Sequence, residues 1–291
     1  MQKMNSNIIM IIFLVVIGVN FVLAIILNIP LSETLFMIVC ILLFLGIVLI
    51  HGWKTLGLRE LLVFFLIAYS IPLLYEYTDA FGFGGLVGCT SSYSNLLGPK
   101  FLDTVPYVIP LVWSMFLYCT FTMTNIIFNR IRTTRKSEEA VSLQWFFKIV
   151  GIGIIAGLIM AALDLIIDPV MVVMGAWSWS YAGSYYGIPL WNYEGWIEIT
   201  AVTFVLYSVY LHIVKKSQIY IGGEKRSRYT LYVIVLYLAA LIIFGIYAVV
   251  EQVTYVIPWA MMTMGSFAVI VVIQFYRSYL KAGKKVFSSV E

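Results

Sequence analysis

The hydrophobic positions of the chain fall into eight long blocks, which charged residues, proline and glycine separate. Each block approaches the ~20 apolar residues that an α-helix needs to cross a bilayer. No small-residue cleavage site follows the first block, so we expect an uncleaved anchor there. The pattern predicts an all-α, polytopic protein with one integral membrane domain over residues 1–291. The predicted spans are 8–27, 34–50, 58–75, 104–128, 146–167, 195–214, 229–250 and 257–279.

Composition supports this prediction and excludes several classes of protein. Hydrophobic residues make up 62% of the chain and charged residues 11%, whereas soluble domains average about 25% charged residues. Water-soluble enzymes and secreted disulfide frameworks are therefore excluded. The net charge of +4 arises from scattered loop residues rather than one basic face, which argues against a nucleic-acid partner. The three cysteines form no C-x-x-C motif, so neither a redox pair nor a zinc site is indicated.

The distribution of basic residues predicts the orientation of the helices. With the N-terminus inside, every lysine and arginine except Lys100 falls in a cytoplasmic segment. Lysine and arginine collect on the cytoplasmic side of membrane proteins, so both termini are predicted inside, in a multi-pass protein of the cell membrane. The sequence Tyr-Val-Ile-Pro occurs at 107–110 and 255–258, each time before an outside-to-inside helix. This repetition raises the hypothesis of two parallel four-helix halves.

The predicted outer surface collects acidic residues near helix ends. Asp164 and Asp168 lie four residues apart on one face of the fifth helix, which Pro169 is predicted to end. Glu198 lies one turn inside the predicted sixth helix, and Glu76 closes the third. Carboxyl groups at membrane depth usually face a protein interior or a polar cavity. The alternative is that these four side chains reach water or cap the helices.

An aromatic segment at 177–196 lies between these acids and contains four of the eight tryptophans. Tryptophan and tyrosine commonly form belts at membrane interfaces, which is one interpretation of the segment. The other is a folded outer lid whose ring faces contact an apolar ligand or stabilise a cation. The candidate substrate-binding residues on this second interpretation are Trp177, Trp179, Tyr185, Tyr186, Asn192 and Trp196.

Acid catalysis without a metal is the chemistry that these residue types suggest. A protonated carboxyl group can act as a general acid, and aromatic faces can shelter a carbocation. We expect Asp164, the deeper carboxyl, to be the acid and Asp168 to orient water, with Glu76 and Glu198 as second candidates. No Asp-rich metal motif is present, no cofactor is expected, and His51 and His212 are expected to be structural.

Several motifs resemble a known family of integral-membrane carotenoid biosynthesis proteins, which includes bisanhydrobacterioruberin hydratase and γ-carotene hydratase. The similarity runs from about Glu76 to Trp196. The stretch at 85–92 departs from the family pattern, because it lacks the aromatic residues that the family tends to have soon after the Phe-Gly. The residues that carry the resemblance are Glu76, Phe83-Gly84, Tyr93, Leu97-Gly98-Pro99-Lys100, Val105-Pro106, Ile109-Pro110-Leu111-Val112-Trp113, Asp164-Leu-Ile-Ile-Asp168-Pro169, Trp177-Ser-Trp179, Tyr185-Tyr186-Gly187-Ile188-Pro189, Asn192 and Gly195-Trp196.

The resemblance implies that water is added across a terminal isoprenoid double bond of a carotenoid, giving a tertiary alcohol without redox cofactor or metal. A different polyprenyl lipid is an alternative substrate. Two other functions stay open at this point. A transporter agrees with eight spans and intramembrane carboxyl groups, and a scaffold for lipid-pathway enzymes requires no site at all.

Overall fold

The computed structural model describes residues 6–28, 33–81, 91–128, 131–132, 142–180, 182–214, 219–220 and 232–287. In these ranges eight helices are long and apolar enough to cross a membrane, which confirms the predicted all-α, eight-helix architecture. The orientation and the pseudo-repeat stay predictions. The helices are α1 (Ser6–Phe21, extended by a π-helical turn, Val22–Ile26), α2 (Glu33–Thr55), α3 (Leu58–Asp79), α4 (Val108–Ile127), α5 (Leu143–Val173), α6 (Leu190–Ile213), α7 (Tyr232–Val250) and α8 (Ile257–Phe287).

Some residues used in the sequence-based predictions lie outside the described part of the chain. They are Lys3, the Phe83-Gly84 motif with the rest of 82–90, Tyr181, and the basic residues at 130, 135, 136, 215, 216, 225, 226 and 228.

Short strands tie the helix connections together at both ends of the bundle. An antiparallel pair, β1 (Ser91–Tyr93) with β5 (Trp177–Trp179), joins the α3–α4 connection to the α5–α6 connection. A parallel pair, β4 (Ile131–Arg132) with β6 (Ile219–Tyr220), joins the α4–α5 connection to the α6–α7 connection. A third pair, β2 (Lys100–Phe101) with β3 (Val105–Pro106), forms a hairpin before α4. We call the end that carries β1 and β5 the acidic end.

Helix α5 continues through Pro169 to Val173, so the prediction that this proline ends the helix is wrong. A proline has no backbone N–H group. In a helix, the carbonyl group of the residue four positions earlier therefore lacks its usual hydrogen-bond donor. That residue is Leu165, whose carbonyl oxygen accepts a hydrogen bond of 3.1 Å from the Tyr185 hydroxyl. Tyr185 thus replaces the missing bond, and the helix carries Asp168 inside its length.

Helix α6 begins at Leu190, five residues before its predicted start. Pro189 precedes it with φ −65°, an angle that suits a helix start. Asn192 consequently lies in the first turn instead of a loop, and Glu198 lies more than two turns inside. Helix α3 extends to Asp79, so Glu76 lies almost one turn before the helix end.

Helix α4 is the central helix of the bundle. Within the protein, 83% of the α4 span is buried, which is the largest buried share among the eight spans of the described residues. Its buried residues include the polar Ser114, Thr120 and Asn125, each of which donates to a backbone carbonyl of its own helix. A helix surrounded by other helices does not face lipid, which explains why α4 carries more polar residues than the outer spans.

Two glycines allow α5 and α6 to approach each other closely. A Cβ atom added at Gly157 would lie 2.7 Å from Ile197 Cα, and one at Gly153 would lie 3.2 Å from the Ala201 carbonyl oxygen. Small residues four apart commonly bring membrane helices into backbone contact. This contact fixes the height of α6 against α5 and thereby places the first turn of α6 beside the carboxyl groups of α5.

Candidate active site

Asp164 and Asp168 form a buried pair on one face of α5. Their exposed fractions are 0% and 2%. The Nδ2 group of Asn192 donates to Asp164 Oδ2 at 2.8 Å and also to Asp168 Oδ2. The two carboxyl groups lie within hydrogen-bonding reach of each other. One side-chain amide of α6 therefore holds both carboxyl groups of α5 in a fixed arrangement.

A third carboxyl group, Glu76, comes from the last turn of α3. The Tyr93 hydroxyl donates to its Oε2 at 2.6 Å, and the Trp113 indole N–H donates to its Oε1 at 3.1 Å. Burial, with a further contribution from Glu76, raises the pKa of Tyr93 well above its ordinary value. The Tyr93 hydroxyl therefore keeps its proton and stays a hydrogen-bond donor at neutral pH. Strand β1 and helix α4 together orient Glu76.

The three carboxyl groups interact electrostatically with one another, and no cationic side chain in the described ranges pairs with any of them. Glu76 interacts electrostatically with Asp168 and with Asp164. Lys100, the basic residue predicted for this side, donates to the Tyr93 carbonyl oxygen at 2.5 Å. Neutral donors therefore hold the carboxyl groups in place. Without a cation that fixes their charge, these groups are free to exchange protons with one another.

A cavity of about 580 Å³ opens against this cluster. Its wall includes Glu76, Asp168 and Asn192, whereas Asp164 lies behind Asp168 and is not part of the wall. The rings of Trp113 and Trp196 face each other on the wall with centroids 4.1 Å apart at 33°. The cavity thus brings the carboxyl groups of Glu76 and Asp168 and the paired rings of two tryptophans to one space.

An apolar arm extends this cavity away from the acidic end. Thr34 and Phe44 of α2 both line it, so the arm follows α2 for about 15 Å at 1.5 Å per residue. The rings of Phe44 and Phe116 meet edge to face at 5.1 Å. The other apolar residues of the arm include Met37, Ile41, Met115, Ala240, Ile243 and Phe244. The arm matches the shape and polarity of a hydrocarbon chain.

Most of the sequence-predicted site residues lie together on this cavity. Trp177, Trp179, Asn192 and Trp196 line it. Glu198 also lines it, and its Oε1 accepts a hydrogen bond of 2.9 Å from the Tyr75 hydroxyl.

Tyr185 and Tyr186 lie elsewhere and are not part of the cavity wall. Tyr185 bonds to the backbone of α5 through its hydroxyl group. Tyr186 is 43% exposed and stacks on Tyr255 at 4.4 Å, against the turn before α8. Both tyrosines stay candidates for substrate binding by sequence alone, but their contacts in the structure are with protein.

Three residues that hold the carboxyl groups were not among the predicted site residues. They are Tyr75, Tyr93 and Trp113, which donate to Glu198 or Glu76. Trp113 and Tyr93 belong to the motifs that carry the family resemblance, and Tyr75 is adjacent to Glu76. An indole or phenol at the same depth as a buried acid is the signal that identifies such donors, because each needs a partner.

Comparison with known proteins identifies the family to which the chain belongs. No curated protein and no solved structure matches the chain significantly. The model of one protein family, described as carotenoid biosynthesis protein, matches residues 36–273. This range runs from α2 into α8 and includes the carboxyl groups, Asn192 and the tryptophans of the candidate site. The chain therefore belongs to the carotenoid biosynthesis protein family.

Proposed function

We propose that this protein is a membrane enzyme that adds water to a terminal isoprenoid double bond by acid catalysis, giving a tertiary alcohol. A role in carotenoid biosynthesis follows from the family. The hydratase chemistry rests on one observation: the Asp164–Asp168 pair, held by Asn192, borders an apolar cavity lined by tryptophan rings.

The shape of the cavity supports a long hydrocarbon substrate. A carotenoid, or another polyprenyl lipid, would place one end of its chain in the cavity, with the chain along the arm beside Phe44 and Phe116. The volume of about 580 Å³ lies within the ~300–1,000 Å³ that is usual for small-molecule sites. Burial of the chain end against apolar side chains supplies the binding energy, and the terminal double bond lies near the carboxyl groups.

The aspartate pair acts as the proton donor. Two carboxyl groups in contact share one proton, because two negative charges at that distance are costly in an apolar site. Asp168 lines the cavity, so the proton passes to the substrate from Asp168, and Asp164 behind it supports the pair. This exchanges the roles expected from sequence, where depth in the membrane favoured Asp164 as the donor.

Glu76 accepts the proton that is released when water is added. Protonation of the CH carbon of the double bond by Asp168 leaves a tertiary cation at the terminal, dimethyl-substituted carbon. The oxygen of a water molecule forms the new C–O bond to this cation and gives one proton to Glu76. The substrate gains one water, and Glu76 returns its proton to the carboxyl cluster through exchange with water. Glu198, bonded to Tyr75 on the same wall, is the second candidate for this accepting role.

The adjacent rings of Trp113 and Trp196 stabilise the cationic intermediate. A cation over a tryptophan face gains roughly 0.5–2 kcal/mol, depending on desolvation. The Trp113 N–H points to Glu76, so the ring that faces the cavity is held by the carboxylate that accepts the water proton. Cation stabilisation and water activation are thereby coupled through one side chain.

The test is a reaction with purified protein in liposomes that contain a carotenoid with an open isoprenoid end. In ¹⁸O-labelled water the product should carry one labelled hydroxyl group, and in D₂O one new carbon-bound deuterium. Asp168→Asn and Asp164→Asn should each lower turnover roughly 10²–10⁴-fold, the usual contribution of general acid catalysis. Glu194→Gln is the matched control, because Glu194 is exposed on α6 outside the cavity.

Two results would contradict the proposal. One is normal turnover by well-folded Asp168→Asn protein. The other is wild-type protein that moves the carotenoid between liposomes, or leaves it unchanged, without adding a labelled hydroxyl group. Those outcomes favour the transporter and the scaffold, respectively.

A further inference from the structure

Two buried polar atoms behind the aspartate pair have no hydrogen-bond partner among the described residues. They are Asp164 Oδ1 and the hydroxyl oxygen of Tyr193. Asp164 itself has no exposed surface. Native proteins leave few such atoms unpaired, and an ordered water with two to four polar neighbours is the usual partner. One of these atoms is an acceptor and the other carries a donor, which is the combination that a single water can bridge.

Ring contacts and electrostatic interactions connect Tyr193 with the aspartate pair. Tyr193 follows Asn192, whose amide bonds to both carboxyl groups. The Tyr193 ring meets the Tyr185 ring edge to face at 5.6 Å, and the Tyr185 hydroxyl bonds to the carbonyl group of Leu165, next to Asp164. The Tyr193 hydroxyl also interacts electrostatically with Asp164 and Asp168.

We propose that a water molecule binds between Tyr193 and Asp164, on the side of the aspartate pair that faces away from the cavity. The Tyr193 hydroxyl donates to this water, and the water donates to Asp164 Oδ1. The existence of the water site does not depend on the hydratase activity, but its role in turnover rests on the proposed function.

The water influences whether the proton shared by the aspartate pair lies on Asp164 or on Asp168. Asn192 donates to both carboxyl groups and therefore stabilises negative charge on each of them. The Trp177 indole lies within hydrogen-bonding reach of Asp168 and stabilises negative charge there, which leaves the proton on Asp164, away from the cavity. A water that donates to Asp164 Oδ1 opposes this bias and moves the proton towards Asp168. Tyr193 is thus a positioning residue that prepares the acid on the cavity wall.

The direct test is a crystal or cryo-EM structure of the full chain at 2 Å resolution or better. Density for a water is expected within about 3.2 Å of both Tyr193 Oη and Asp164 Oδ1. Well-defined side chains with no water between them would overturn the proposal, whatever the protein catalyses.

The functional test compares Tyr193→Phe with Tyr210→Phe. Tyr210 lies on the same helix with a buried hydroxyl that also lacks a partner in the described ranges, but it is far from the carboxyl groups. Tyr193→Phe should lower kcat about tenfold, the factor expected for one hydrogen bond, and leave KM unchanged. Tyr210→Phe should leave both parameters unchanged. Equal kcat for the two variants would refute the role of the water, whereas failure of wild-type protein to hydrate any substrate would refute the proposed function instead.

Discussion

Replacing Gly157 by alanine tests whether the α5–α6 contact positions the active site. The added Cβ would lie 2.7 Å from both Cα and the carbonyl oxygen of Ile197, and 2.9 Å from its Cγ2. Ordinary contacts begin near 3.4 Å, so α6 has to move by about 0.7 Å. The same movement at Asn192 stretches its 2.8 Å bond to Asp164 to about 3.5 Å, which is too long for a hydrogen bond.

The control is Gly151→Ala in the same helix. A Cβ at Gly151 meets nothing within 4 Å, and the substitution brings the same gain in helix propensity. The difference between the two variants therefore isolates the clash. We expect Gly157→Ala to be less stable than Gly151→Ala by roughly 1–3 kcal/mol, the usual cost of overpacking. Turnover should fall by roughly 10²-fold, because small displacements of catalytic groups have effects of that size.

The assays are thermal unfolding in detergent and initial rates at equal amounts of folded protein. Adding Ile197→Ala to Gly157→Ala should not restore activity, since two of the three close contacts are with backbone atoms. Equal stability and equal turnover for Gly157→Ala and Gly151→Ala would show that the glycine contact does not set the position of Asn192.

Three further predictions concern topology, cation stabilisation and helix continuity. Reporter fusions after Arg135 and after Tyr181 should report opposite sides of the membrane, cytoplasmic and external; the same side for both would refute the predicted orientation. Trp196→Phe should retain more turnover than Trp196→Leu, with an overall loss of ~2- to 30-fold from Trp to Leu, and equal rates would support a simple interfacial belt. Tyr185→Phe should cost about 1 kcal/mol of stability with Pro169 present and less in Pro169→Ala protein, where the backbone bond to the freed carbonyl is restored; a double-mutant cycle without coupling would contradict this.

The number of spans was predictable because every helix that crosses the bilayer needs an apolar stretch of about the same length. The helix ends were not, because local partners decide them. Pro169 carries a strong stop signal, yet the Tyr185 hydroxyl, sixteen residues later, supplies the bond that the proline removes. Asn192 lies before the predicted sixth span, whereas α6 begins at Leu190, directly after Pro189, and so includes Asn192.

The acidic residues of the candidate site were predictable from the sequence, but the residues that donate hydrogen bonds to them were not. Asp164 and Asp168 share a face by spacing alone, since residues four apart meet on a helix. The contact of Glu76 with Tyr93 and Trp113 joins a helix end, a strand and the central helix, and no local pattern predicts such a meeting. One available signal was the spacing of Gly153 and Gly157, which is the small-residue pattern of closely packed membrane helices.

The choice of donors explains how a site with three carboxyl groups can carry out proton chemistry. A lysine or arginine beside a carboxyl group favours its charged form and so opposes its action as an acid. Asn192, Tyr93 and Trp113 donate hydrogen bonds without a full charge, so they fix the positions of the carboxyl oxygens while leaving the protons able to move. The same neutrality limits the cost of a site in the membrane, because no full positive charge has to be buried beside the carboxyl groups. Acid catalysis on an alkene requires both a rigid geometry and protons that can exchange. An ion pair at any of these positions would supply the rigid geometry but would hold the carboxyl group in its charged form.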